Sequence, residues 1–299
     1  MTKRIIGFLL ILGAWGASAF AAPSVVYVTF NGSDAAVCSR TAPCHTITHA
    51  LSVVAAGGVV DIAASGLYDS FTVAKSVTVT TDPGVVATIA VPASKTGVTV
   101  NAAATDVVTL RGLTLIGVGS GTGISIQSVS RATVEACDSR NFFHALEYVT
   151  TVAGTLEVKG GSFTASDTSI FLCCNVTPSP GIAVSVDGAH VYGGHFAGVN
   201  GDGAHISVTR TLLSGDPGCG TNNAGIYAVH GTTVAENDTI TGYCDGFRVF
   251  DTGYISASTI TGNTFGLAEV GGTLFTRGNN VVANNGTNVS GTLTSFAAQ

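Results

Sequence analysis

Residues 107–135 read VVTLRGLTLIGVGSGTGISIQSVSRATVE. Two apolar-alternating runs, VTLRGLTL and GISIQ, are separated by glycine and serine, and a third run, TVE, then restarts the first. Alternation with period two marks a strand with one buried face. Gly and Ser clusters mark turns. A restart after 24 residues, Leu110 to Val134, points to an internal repeat.

The repeat extends through the rest of the chain. Runs of the first kind include LEVKGGSF, VSVDGAHVYGG, ISVTRTLLSG, TVAENDTITG, YISASTITGN and LFTRGNNVVANN. Their apolar anchors are Leu110, Val134, Val158, Val186, Val208, Val234, Ile255 and Phe275, 20 to 28 residues apart. Runs of the second kind are GISIQ, ALEYV, SIFL, GVNG, GIYAV, GFRVF and GLAEV, with variable positions Ser125, Glu147, Phe171, Asn200, Tyr227, Arg248 and Ala268. Two motif sets advancing together require a coil with at least two strands per turn, which is a β-solenoid. Leucine-rich repeats would need regular Leu, and a propeller blade about 40 residues. Coils of unequal length fit a parallel β-helix, whose turns accept insertions. The expected fold class is all-β, a right-handed parallel β-helix with an N-terminal capping helix.

Composition agrees. The chain has 39 Gly, 10% charged and 45% hydrophobic residues, too apolar for disorder. Only 12 Lys+Arg and a net charge of −6 argue against nucleic acid as a partner, because phosphate binding needs clustered positive charge. The segment MTKRIIGFLLILGAWGASAFAAPS has a basic start, an apolar stretch and small residues at Ala17, Ala19 and Ala21, the pattern of a secretory signal. The organisation read from this is a signal peptide over 1–21, an N-terminal strand and capping helix over 22–56, a parallel β-helix over 57–291 and a C-terminal tail over 292–299. Secretion or a periplasmic location is expected. No later segment is apolar enough to span a bilayer.

In TITHALSVVAAGG, Ile47, Ala50, Leu51 and Val54 share one helical face. Thr46 or Thr48 can N-cap this helix, and Gly57–Gly58 end it. A solenoid's first coil has an open apolar end and an unpaired edge, which such a helix closes.

The entry VYVTFNGSDAAVCSRTAPCHTITHALSVVAAGGVVDIAASGLY, followed by KSVTVTTDPG, resembles that of secreted bacterial right-handed parallel β-helix proteins of the pectate-lyase-like superfamily. The resemblance spans Val25 to Gly291. It implies the β-helix fold and admits polysaccharide lyase activity, while the later repeats match by period alone.

The column Glu147, Phe171, Asn200, Tyr227 and Arg248 is expected to point outward from one sheet, with Leu146, Ile170, Val199, Ile226 and Phe247 buried beside it. With Asp202, these residues form the candidate glycan-binding face: rings can cover sugar C–H groups while carboxylate, amide and guanidinium take hydroxyls. A non-catalytic glycan-binding or structural role at the cell envelope is the leading expectation. The alternatives are a polysaccharide lyase or glycoside hydrolase acting on the Glu147–Arg248 face, and a surface adhesion module. No catalytic residue is assigned, and no cofactor or metal site is expected. The seven histidines read as turn and surface residues. Arg111, Glu135, Lys159 and Asp187 alternate in charge on successive repeats and should share one sheet face.

Export makes disulfides the default for cysteines. Cys38 and Cys44 flank a short loop and are expected to pair. Cys219 and Cys244 lie 25 residues apart, one coil length, and are expected to bridge adjacent rungs. Cys137 is expected to be free and buried, with the pairing of Cys173 and Cys174 left open.

Overall fold

The computed structural model of the chain describes residues 22–150, 152–173, 181–216 and 223–297. Among these are 28 strands and one helix. Every registered strand pair is parallel, and each strand bonds to the equivalent strand one coil away. One coil shows the plan. Val107–Arg111 lies in a first sheet, Leu113–Ile116 in a second and Thr122–Ser128 in a third. The next coil repeats it with Arg131–Glu135, after which Asp138–Val149 runs through both the second and third sheets. The structure is a three-sided parallel β-solenoid.

Its core is a set of stacked inward columns. In the third sheet, Val98, Ile124, Leu146, Ile170, Val199, Ile226, Phe247 and Leu267 follow one another in register, all buried. In the first sheet the column runs Leu110, Val134, Val158, Val186 and Val208, then Ala235 and Ile255. Val234 and Phe275, anchors in the sequence reading, instead lie in the outward column with Ser207 and Tyr254. The inward residues at these rungs are the small Ala235 and Thr276, so the larger apolar neighbour took the anchor. Irregular register around Asp202 contributes to the offset.

The helix α1, Ile47–Val53, sits at the N-terminal end against the first strands, with Ile47, Ala50 and Leu51 buried. Thr46 is its N-cap: its hydroxyl oxygen accepts from the His49 N–H at 3.1 Å. Asp34 holds the cap in turn, accepting from the His45 and Thr46 N–H groups at 2.9 Å and from the Thr46 hydroxyl at 2.8 Å. The Cys38–Cys44 disulfide is present, with Cα atoms 4.6 Å apart. Cys137 is free and buried; burial pushes its thiol pKa up to about 12. At the other end, Leu293–Ser295 still pairs with Thr273–Thr276, so solenoid pairing continues past residue 291.

Arg111, Glu135, Lys159 and Asp187 occupy successive rungs of the first sheet. Arg111 and Glu135 form an ion pair at 2.8 Å. Lys159 turns to Glu157 in its own strand at 2.6 Å, and Asp187 pairs with Arg210. These pairs are exposed, so each contributes about 0–1 kcal/mol.

Candidate functional site

The third sheet presents one continuous outward column. Thr99, Ser125, Glu147, Phe171, Asn200, Tyr227, Arg248, Ala268 and Ser290 pair in order, rung by rung. Side chains alternate across a strand, which is why Leu146, Ile170, Val199, Ile226 and Phe247 beside them are buried. Glu147, Phe171, Tyr227 and Arg248 are partly exposed. Asn200, expected to be partly exposed too, is only 5% exposed, and its Oδ1 is buried without a hydrogen-bond partner among the described residues. It lies one rung from Phe171 and one from Tyr227, both of which outreach its short side chain.

At one end of this column Glu147 is firmly held. Its Oε1 accepts from the Ser125 hydroxyl at 2.7 Å, and its Oε2 accepts from the Thr122 hydroxyl at 3.2 Å. His144 Nδ1 lies 3.2 Å from the same Oε2, and His144 Nε2 lies 3.3 Å from Asp167 Oδ2. The ring of His144 stacks on Phe171, with centroids 4.4 Å apart and planes 8° from parallel. Burial pushes the Glu147 pKa up, but the bonds from His144, Ser125 and Thr122 outweigh it and hold the carboxyl below its usual value. His144 and Asp167 were not singled out by the sequence reading. The strand register slips twice between Arg140 and His144, and Asn141 takes a positive φ of 62°. Counting by twos therefore cannot place His144 on the face.

The other end is aromatic and cationic. Tyr227 meets Phe196 and Phe250 in edge contacts at 5.0 and 5.5 Å. Arg248 lies over the rings of Phe250 and Tyr227 at 5.1 and 5.7 Å, and its Nη1 is 3.3 Å from Asp245. Burial raises the Asp245 pKa, and Arg248 opposes the shift. Beyond Arg248 the column shrinks to Ala268 and Ser290, leaving an open pocket of about 330 Å³ bounded by Asp245, Arg248 and Phe265. Four rungs separate Glu147 from Arg248, about 19 Å at ~4.8 Å per rung.

Asp202 sits at the bend leading from the third sheet to the first, where the register is irregular. Its Oδ1 is 2.5 Å from His230 Nδ1, so it forms a corner pair rather than extending the column. Cys244 is disulfide-bonded. Cys219 lies outside the described residues, as do Cys174 and the side chain of Cys173. The group of Cys38, Cys44 and His49 has metal-ligand proximity, but the disulfide occupies both sulfurs.

No family model and no curated protein matches the chain. Among solved structures, the crystal structure of pectate lyase Pel9A superposes with a TM-score of 0.67 at 14% identity, covering 94% of this chain and 80% of that one. A rhamnogalacturonan lyase aligns at a TM-score of 0.40 and 12% identity, over 81% of this chain and 75% of that one. The first likeness shows the fold: the solenoid is the right-handed parallel β-helix expected from the sequence. Among the described residues, no helix is long and apolar enough to cross a membrane.

Proposed function

We propose that this chain is an exported protein that binds a polysaccharide along the outward face of the third sheet, between Glu147 and Arg248. The unbroken register of that column carries the reading. It sets a carboxylate, aromatic side chains and a guanidinium along a strip about 19 Å long. The rung spacing of ~4.8 Å is close to the length of one sugar ring, so successive rungs can meet successive residues of a glycan laid along the axis. Tyr227 and Phe250 offer apolar walls to sugar C–H groups, while Glu147 and Arg248 offer hydrogen bonds to hydroxyls. The name of the pectate lyase that shares the fold records a polysaccharide substrate, which supports a ligand of that class here.

Lyase chemistry is a second reading, favoured by the same fold likeness and by the half-buried Glu147–His144–Asp167 cluster. Glu147 and Arg248 are too far apart to act on one bond, so a reacting centre would sit at one end of the strip, and the His144 end has a group able to move a proton. A polysaccharide array followed by an assay for unsaturated products tests both readings. Saturable binding without product supports a binding face alone. Product formation lost in His144→Gln makes the protein a lyase, and no binding to any polysaccharide rejects both. Export is tested by N-terminal sequencing of the mature protein, expected to begin at Ala22.

A further inference from the structure

The contacts of His144 place a carboxylate oxygen against each ring nitrogen. A neutral imidazole has one N–H donor and one lone-pair acceptor; only the imidazolium has two donors. Here both ring nitrogens face carboxylate oxygens, Glu147 Oε2 at 3.2 Å and Asp167 Oδ2 at 3.3 Å. With a neutral ring, one lone pair would face another across that distance unless a carboxyl carried the missing proton. Glu147 is a poor holder of it: hydroxyl donors from Ser125 and Thr122 already favour its ionised form. Asp167 also accepts from the Thr168 hydroxyl at 3.1 Å.

We propose that His144 is a proton-operated clasp, closed between Glu147 and Asp167 when both ring nitrogens carry hydrogen and opened by release of Asp167 when one hydrogen is lost. Asp167 is the arm that moves. Two further hydroxyls hold Glu147, whereas Asp167 is the more exposed carboxylate, held otherwise by its sequence neighbour. Among the described residues, the charged groups paired with the ring are these two carboxylates. Thr122 and Thr168 flank it in register, and Phe171 and Phe143 pack against it. Closed, the cluster carries one net negative charge; open, it carries two, and Asp167 gains acceptor capacity toward solvent. The clasp thus regulates the charge and hydrogen bonding of one end of the glycan face, a consequence that rests on the function proposed above.

The clasp itself is tested on the full chain with no glycan present. Imidazole ¹⁵N shifts of His144, assigned by their loss in His144→Gln, report whether each nitrogen carries hydrogen. Crystal structures at about pH 5 and about pH 9, either side of ordinary histidine titration, report the contacts. The expected result is a doubly protonated ring bonded to both carboxylates at low pH, and a singly protonated ring with Asp167 withdrawn at high pH. Asp167→Asn supplies an amide N–H that can donate to a neutral ring, so its clasp should stay closed at both pH values. The proposal is overturned if the wild-type contacts persist around a singly protonated ring, or if Asp167→Asn opens as the wild type does. Glycan binding at the two pH values is a separate measurement. Its failure would reject the binding face and leave the clasp standing.

Discussion

Tyr243 is almost fully buried, yet its hydroxyl has no hydrogen-bond partner among the described residues. Its ring is packed so closely that a Cβ at Gly198 would come within 2.8 Å of the hydroxyl and one at Gly225 within 3.1 Å of the ring. Burial raises its pKa, so the phenol stays neutral. A buried hydroxyl left unpaired costs about 1–3 kcal/mol. Tyr243→Phe keeps the shape and removes the polar atom. It should therefore raise stability by about 1 kcal/mol, or Tm by about 2–4 °C, in calorimetry. A lower Tm would mean that the hydroxyl has a partner, such as an ordered water. Asn263 is the opposite case. It is buried, accepts from the Tyr243 N–H at 2.9 Å, and donates to the Ile240 and Thr261 carbonyls at 3.2 Å and to Asn285 Oδ1 at 3.1 Å. Asn263→Ala strands these groups and should cost about 2–3 kcal/mol in denaturant unfolding. A loss below about 0.5 kcal/mol would show that water replaces the amide.

At the scale of elements, side-chain ladders tie the turns together. One runs between the first and second sheets. The Thr211 N–H donates to Asp238 Oδ1 at 2.8 Å, the Asp238 N–H donates to the Ser258 hydroxyl oxygen at 3.1 Å, and the Ser258 N–H donates to Asn280 Oδ1 at 3.0 Å. Asp238 is buried, and burial pushes its pKa up to about 8, with Glu236 and Asp187 adding to the shift and backbone donors opposing it. Because the folded state binds this proton more tightly than the unfolded chain, the stabilisation is fully present below the ordinary Asp value of about 3.9. It is lost as pH rises toward about 8, and is constant beyond. Unfolding free energy should fall across that window, and Asp238→Asn should flatten the slope. An unchanged slope in the variant would place the titration elsewhere. These ladders were not legible in the sequence, where Asn, Ser and Thr in turns look like ordinary surface residues. The strands were legible, because alternation with a shared period is strong evidence. Where the inward residue shrinks, as at Ala235 and Thr276, the same alternation pointed one position too early.

For the whole molecule, the helix Ile47–Val53 closes the N-terminal end of the bore, and the third sheet's inward column ends at Val289, which is 38% exposed. The capping helix and the outward column from Glu147 to Arg248 were both legible, the first from its helical spacing and the second from period two in short, regular strands. The His144–Asp167 half of the site is hidden by a register slip, and Asp202 lies where the register is irregular, paired with His230. What unites the surface is its register, so the face should behave as one extended binding strip. Isothermal titration of wild type and two variants against each polysaccharide that binds in the array tests this most directly. Tyr227→Ala removes a ring at the centre of the aromatic end, and affinity should drop about 5- to 30-fold, the equivalent of about 1–2 kcal/mol. Arg277→Ala removes a cation that packs over Phe296, away from the strip, and should leave affinity unchanged. Equal affinities for wild type and Tyr227→Ala, or a loss confined to Arg277→Ala, would contradict a glycan-binding face on the third sheet.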